Sequence, residues 1–76
     1  MQLPFAEMPD EAFARLPLVR AVTNLGRSTI YEEIGAGRFP KQHKLTQHAV
    51  GWRVGDIRAW LRDPVGWKGS RTEPSA

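Results

Sequence analysis

The stretch that most constrains this chain is Gly26-Arg27-Ser28-Thr29-Ile30-Tyr31-Glu32-Glu33-Ile34, followed shortly by Gly37-Arg38-Phe39-Pro40. Helical spacing puts Ile30 and Ile34 on one side, while Ser28, Tyr31, Glu32 and, more peripherally, Thr29 turn away from it. Gly35 and Gly37, reinforced by Phe39-Pro40, stop this helix by about Ala36. A short helix with a narrow apolar stripe and a hydroxyl-rich opposite face suits the major groove of duplex DNA.

Two short basic strands follow, Lys41 to Leu45 and Val50 to Arg53, with Thr46-Gln47-His48-Ala49 as the hairpin tip. Val50, Trp52 and Val54 alternate with Gly51 and Arg53, the pattern of a strand with one buried face. Upstream, Leu16 to Val22 reads as a helix, with Pro17 where a missing amide costs nothing. Val19 and Val22 face inward with Leu16 and Leu25. Thr23-Asn24-Leu25-Gly26 is the turn, in which Asn24 tolerates a left-handed backbone and Gly26 caps the next helix. Val54 to Arg62 reads as a third helix, because Ile57, Trp60 and Leu61 share one face and Asp56 precedes Arg58 and Arg62 as the helix dipole favours. The expected fold is mainly α with a small β-hairpin: a winged helix-turn-helix of three helices plus a wing.

Seventy-six residues make one domain, near the lower limit of what a single core can hold together. Three tryptophans, three phenylalanines and one tyrosine supply much of the apolar area to be buried. The expected partition is an N-terminal arm over 1–14, the winged domain over 15–63 and a flexible tail over 64–76. In the arm, Asp10 is a candidate cap and Phe13 an anchor. The tail is rich in Gly, Ser, Lys, Arg and Pro. For Trp67 the sequence leaves three readings open: packing back on the domain, touching a partner, or neither.

A net charge of +3 hints only mildly at a polyanionic partner, but the distribution says more. Before Arg15 there are Glu7, Asp10 and Glu11 and no base, whereas the stretch from Arg27 to Arg53 holds Arg27, Arg38, Lys41, Lys44 and Arg53 against Glu32 and Glu33. In a winged helix-turn-helix the turn and wing hold phosphates while side chains of the inserted helix read base edges. Arg27 reaches guanine or phosphate; Ser28 and Thr29 allow close backbone approach; Tyr31 stacks on sugar or donates to phosphate. Glu32 has two evenly weighted readings, acceptor for a cytosine amino group or part of a solvated helix face, and Glu33 favours the second. Arg38, Lys41, Lys44 and Arg53 are the phosphate-contact candidates around the wing, and His48 at the tip reaches a phosphate or the minor groove.

Other chemistry lacks its parts. There is no nucleophile-base pair, phosphate loop or paired-carboxylate motif, so no enzyme activity and no cofactor are expected. Two histidines, His43 and His48, without cysteine or clustered carboxylates make a metal site remote. With no cysteine there is no disulfide, and no apolar run approaches a membrane span or signal-peptide core, so a cytoplasmic location is expected.

Leu16-Pro17, Thr23 to Tyr31, Gly37-Arg38-Phe39-Pro40-Lys41, Lys44-Leu45, Ala49-Val50-Gly51-Trp52 and Ile57-Arg58-Ala59-Trp60-Leu61 together resemble the AlpA-like phage and prophage regulatory proteins. The resemblance spans roughly Arg15 to Arg62, and its linked Arg-Ser-Thr-Ile-Tyr and Phe-Pro-Lys elements are fairly specific. It implies a MerR-type winged helix acting as a transcriptional regulator or excisionase of an integrated element, inside a bacterial host and associated with its nucleoid. The contact residues it implies are Arg27, Ser28, Thr29, Tyr31, Lys41, Lys44 and Arg53. It also implies cooperative assembly of several copies on double-stranded DNA, with room for contact to an integrase or RNA polymerase. The chain departs from the family pattern at Gly26, where a serine cap is usual, at Gln42-His43, and at Thr46-Gln47-His48, where the wing tip loses a permanent charge. A third helix ending by Pro64 leaves no long dimerising coiled coil, so the free protein is expected to be a monomer. The competing reading is a non-catalytic protein-interaction module using the winged-helix surface and the tail.

Overall fold

The computed structural model describes residues 4–67. Three helices, α1 (Leu16–Thr23), α2 (Arg27–Gly35) and α3 (Val54–Arg62), surround a sheet of β1 (Phe13–Ala14), β2 (His43–Thr46) and β3 (Ala49–Arg53). All pairings are antiparallel and β3 is central, in the order β1-β3-β2. This is a winged-helix architecture, with the β2-β3 hairpin as the wing. No described helix is long and apolar enough to cross a membrane.

The helix boundaries follow local chemistry. Asn24 takes the left-handed conformation at the end of α1 (φ 61°), and its amide donates to the Arg20 carbonyl. At the end of α2, Gly37 has φ +79°. Its amide donates to the Ile34 carbonyl and the Arg38 amide to the Glu33 carbonyl. This is a Schellman closure, which favours glycine because the left-handed backbone carries no steric penalty there.

The core is built on Trp52, Phe39, Ile30, Ile57, Val19 and Val54, all fully buried. Full burial of an indole removes enough apolar area to contribute roughly 4 to 6 kcal/mol of transfer free energy, as an upper bound. Both buried indoles also donate hydrogen bonds to one connector: Trp52 Nε1 to the Pro40 carbonyl (3.0 Å) and Trp60 Nε1 to the Arg38 carbonyl (3.0 Å). Phe39, between those two carbonyls, packs edge-on against the Trp60 ring at 5.0 Å. The Arg38-Phe39-Pro40 segment joining α2 to the wing is thus fixed by two hydrogen bonds and a buried ring.

The N-terminal stretch departs from the sequence expectation. Rather than an arm ending at residue 14, it contributes a single 3-10 turn (Phe5–Glu7), the buried Met8 and strand β1. The physical reason lies at the start of α3, which follows β3 without a loop and has no side-chain cap. Its first amides, on Val54 and Gly55, donate instead to the carbonyls of Ala12 (2.8 Å) and Asp10 (3.0 Å). Arg58 then holds the segment from the side, donating to the Asp10 carboxylate and to the carbonyls of Phe5 and Met8 while lying over the Phe5 ring. The sheet consequently has three strands where a two-stranded hairpin was expected.

The hairpin tip is tighter than expected: Thr46 and Ala49 pair across it, leaving Gln47 and His48 as the loop. A bulge at Leu45 shifts the register. A Cβ at Gly51 would lie 2.9 Å from Leu45 Cδ1 and 3.1 Å from the Ala14 carbonyl oxygen, so a side chain there would require Leu45 to turn aside and the β1 backbone to give by a few tenths of an ångström. At the C-terminal end, Trp67 packs half-buried against the core. Pro64 to Gly66 form an exposed turn in which the Gly66 amide donates to the Asp63 carboxylate (3.1 Å), and the part of the expected tail over 68–76 lies outside the described residues.

Trp52→Phe keeps an aromatic ring but orphans the buried Pro40 carbonyl, and it should cost about 1 to 3 kcal/mol, read as a lower urea midpoint. Arg58→Ala should speed hydrogen exchange at the Val54 and Gly55 amides by loosening the segment that caps them.

Candidate nucleic-acid interface

Helix α2 buries Ile30 completely and Ile34 partly, and it exposes Arg27, Ser28, Thr29 and Glu32. Ser28 and Glu32, four residues apart, form one outward stripe. The outward surface of α2 is therefore free, and it is small-featured at Ser28 and Thr29. Tyr31 departs from the expected outward direction: it is half-buried, with its ring 6.2 Å from that of Trp52. Its Cβ lies beside the Ile30 stripe, and the large indole beneath gives the ring an apolar partner. The Arg27 guanidinium lies over the other part of this site, 5.8 Å from the Tyr31 centroid.

The wing candidates do not form one patch. Alternation along the strands and the observed register put Lys44, opposite Val50, on the face that carries Trp52. Arg53, opposite Phe13, belongs to the other face, and its guanidinium sits 5.1 Å from the Phe13 centroid. Since Tyr31 of α2 packs against Trp52, Lys44 shares the α2 side of the sheet and Arg53 does not. Lys41 is exposed in the connector after Pro40, and His48 is exposed in the tip loop, where its amide donates to the Thr46 hydroxyl (3.2 Å). His43 is on the Gly51 face, 3.8 Å from the Asp56 carboxylate and edge-on to Phe13.

Arg38 has a partner within the fold. Its Nε and Nη2 donate to the two Glu33 carboxylate oxygens at 2.8 and 3.1 Å. The Schellman turn brings them together by folding residue 38 back over the last turn of α2. Those hydrogen bonds, helped by charge attraction and opposed by a little desolvation, hold the Glu33 carboxyl below the ordinary carboxylate range and push the Arg38 guanidinium up. Glu33, expected as a solvated face, is therefore a tether for Arg38, and Arg38 offers less free charge than its sequence position suggests. Of the cations expected on this surface, Arg27, Lys41, Lys44 and Arg53 have no ion-pair partner among the described residues and are open to an external anion.

Because the folded pKa of Glu33 is depressed, the pair contributes stability above the ordinary carboxylate range and loses it as pH falls through the lowered value. Both groups are exposed, so the contribution is small. Arg38→Gln should move the Glu33 titration midpoint upward into the ordinary range, as followed by NMR of its side-chain carbonyl; an unchanged midpoint would show that the pair is not held in solution.

Residues 12–68 match the family model described as Prophage CP4-57 regulatory protein (AlpA). The chain is also 39% identical over 59 residues to a protein of Enterobacteria phage P4 described as Uncharacterized protein ORF88, covering 78% of this chain and 67% of that protein. No solved structure matches it significantly. The segment matched by the family model begins one residue before β1 and extends past the end of α3, so it takes in all three helices and all three strands. The chain therefore belongs to the AlpA family of phage regulatory proteins.

Proposed function

We propose that this regulator acts by binding double-stranded DNA with sequence preference, as a transcriptional regulator, an excisionase, or both, for a phage or integrated element. The observation that carries the reading is the rigid junction between an exposed, small-featured helix face and a basic wing. Ser28, Thr29 and Glu32 are free on α2, and Lys44 stands on the same side of the sheet, with Lys41 exposed in the connector between them. Phosphate contacts from Arg27, Lys41 and Lys44 would set register, while Ser28, Thr29 and Glu32 read base edges. Tyr31, braced by Trp52, presents what remains of its exposed edge to the backbone, Arg38 and His48 are outer contacts of this surface, and Arg53, on the other face of the sheet, would reach only a phosphate beyond the wing.

One such helix covers about one half-site, so affinity and selectivity come from several copies assembling on adjacent sites. The free protein is a monomer in this reading, the bound assembly sits on the host nucleoid in the cytoplasm, and no catalytic step is involved. Contact with an integrase or RNA polymerase would connect the bound copies to recombination or transcription.

Binding sites selected from random DNA should converge on a common sequence. Affinity for such a site should fall with salt at a log-log slope of about −4, from roughly four or five neutralised phosphates. Lys44→Ala should weaken all duplexes alike. Glu32→Ala should relax preference at one base pair by about 1 to 3 kcal/mol, and equal loss on every sequence would remove Glu32 from base reading. Salt-independent or absent DNA binding would overturn the proposal in favour of a protein-docking module, and a tight dimer in sedimentation without DNA would contradict the monomer.

A further inference from the structure

On the outer flank of α1, Pro17, Arg20, Ala21 and Asn24 meet Leu25 and Gly26 of the turn around an open depression of about 430 Å³. Its lining carries one formal charge, the Arg20 guanidinium, and no carboxylate. Arg20 is exposed and has no ion-pair partner among the described residues. Apart from the Asn24 amide, the other side chains of the lining are small or apolar. At Gly26 the depression runs directly into Arg27 and Ser28, the exposed first turn of α2.

We propose that this depression seats the sugar-phosphate rail of duplex DNA, with Arg20 neutralising one phosphate and the Asn24 amide donating to it or to its neighbour. The inference rests on the DNA-binding reading above and extends that interface from α2 and the wing onto α1. A nucleic-acid rail alternates apolar deoxyribose faces with anionic oxygens. A concave strip of Pro17, Ala21 and Leu25 beside one cation and one amide is complementary to both parts. A protein partner of comparable footprint would need large buried anchors at its centre, and Leu25 is the largest apolar side chain that this floor supplies. Charge points the same way, because no acidic side chain of the lining opposes an incoming phosphate. Arg20 lies in the last turn of α1, where a cation also favours the helix dipole, so stability and binding must be read separately.

The test measures anisotropy of a labelled mixed-sequence duplex against salt, together with phosphate-ethylation interference, for the full chain and three variants. Arg20→Ala should bind several-fold more weakly, with a log-log slope shallower by about 0.9, and should lose the interference signal of one phosphate. Asn24→Gly, which keeps the left-handed backbone at this position (φ 61°) and removes the amide, should weaken the same phosphate's signal with the slope unchanged. Arg62→Ala removes an equal charge from the last turn of α3, which lines no part of the depression, and should leave slope and interference pattern as they are. If Arg20→Ala lowers the melting temperature enough to unfold the chain, Arg20→Gln, which keeps most of the stem, takes its place. Wild-type slope and interference in the Arg20 variants, or an equal flattening by Arg62→Ala, would overturn this inference alone. Failure of the unmodified chain to bind DNA would instead overturn the reading on which it rests.

Discussion

Two indole N–H groups decide how the rest of this molecule is arranged. Trp52, from the central strand, and Trp60, from the last helix, each donate to a carbonyl of the Arg38-Phe39-Pro40 connector. Their apolar rings meanwhile fill the core beside Phe39. A connector between a helix and a hairpin is ordinarily a hinge, since its backbone groups can exchange partners with water. Here two of its carbonyls are occupied by buried or nearly buried donors that have no alternative acceptor, and leaving either unpaired carries the full desolvation penalty. The angle between α2 and the wing is therefore set by the core rather than by the ligand. In the DNA-binding role proposed above, such preorganisation would leave less ordering to be done when helix and hairpin meet one duplex.

The N-terminal segment solves a different problem. Running β3 straight into α3 spares a loop, which a domain of this size can use, but it leaves the first amides of α3 without the side-chain acceptor that usually precedes a helix. Backbone carbonyls of Asp10 and Ala12 take that place, and Arg58 ties the segment back from within the helix it caps. Cap and strand β1 are consecutive parts of one extended stretch, so the edge of the sheet and the end of the helix are closed together.

Charge is divided between structural and external duties. Arg58 and Arg38 are committed to Asp10 and Glu33, while Arg20, Arg27, Lys41, Lys44 and Arg53 have no ion-pair partner among the described residues. Exposed pairs of this kind contribute little to stability. The Glu33–Arg38 pair matters more by removing a carboxylate from the surface that would face phosphates. Membership in a phage regulatory family agrees with a surface built for binding, since Lys41, Lys44 and the outward side chains Ser28, Thr29 and Glu32 of α2 are exposed and make no ion pair among the described residues.

Much of this was written in local sequence. Helical spacing of Ile30 with Ile34 and of Ile57 with Trp60, the left-handed tolerance of Asn24, the glycine stop at Gly37 and the alternation around Trp52 gave the three helices and the hairpin nearly at their observed bounds. Each of these signals acts over a few residues, so sequence alone carries it. The strand at Phe13–Ala14 and the grip of Arg58 on Asp10 were not legible, because their partners lie some forty to fifty positions away and neither two residues nor one arginine makes a pattern. The candidate site divides the same way. That Arg27, Lys41, Lys44 and Arg53 are basic and near one another was plain in the sequence. That Lys44 and Arg53 stand on opposite faces of the sheet, that Tyr31 leans on Trp52, and that Arg20 borders the turn followed only once strand register and helix packing fixed directions in space, which no linear spacing encodes.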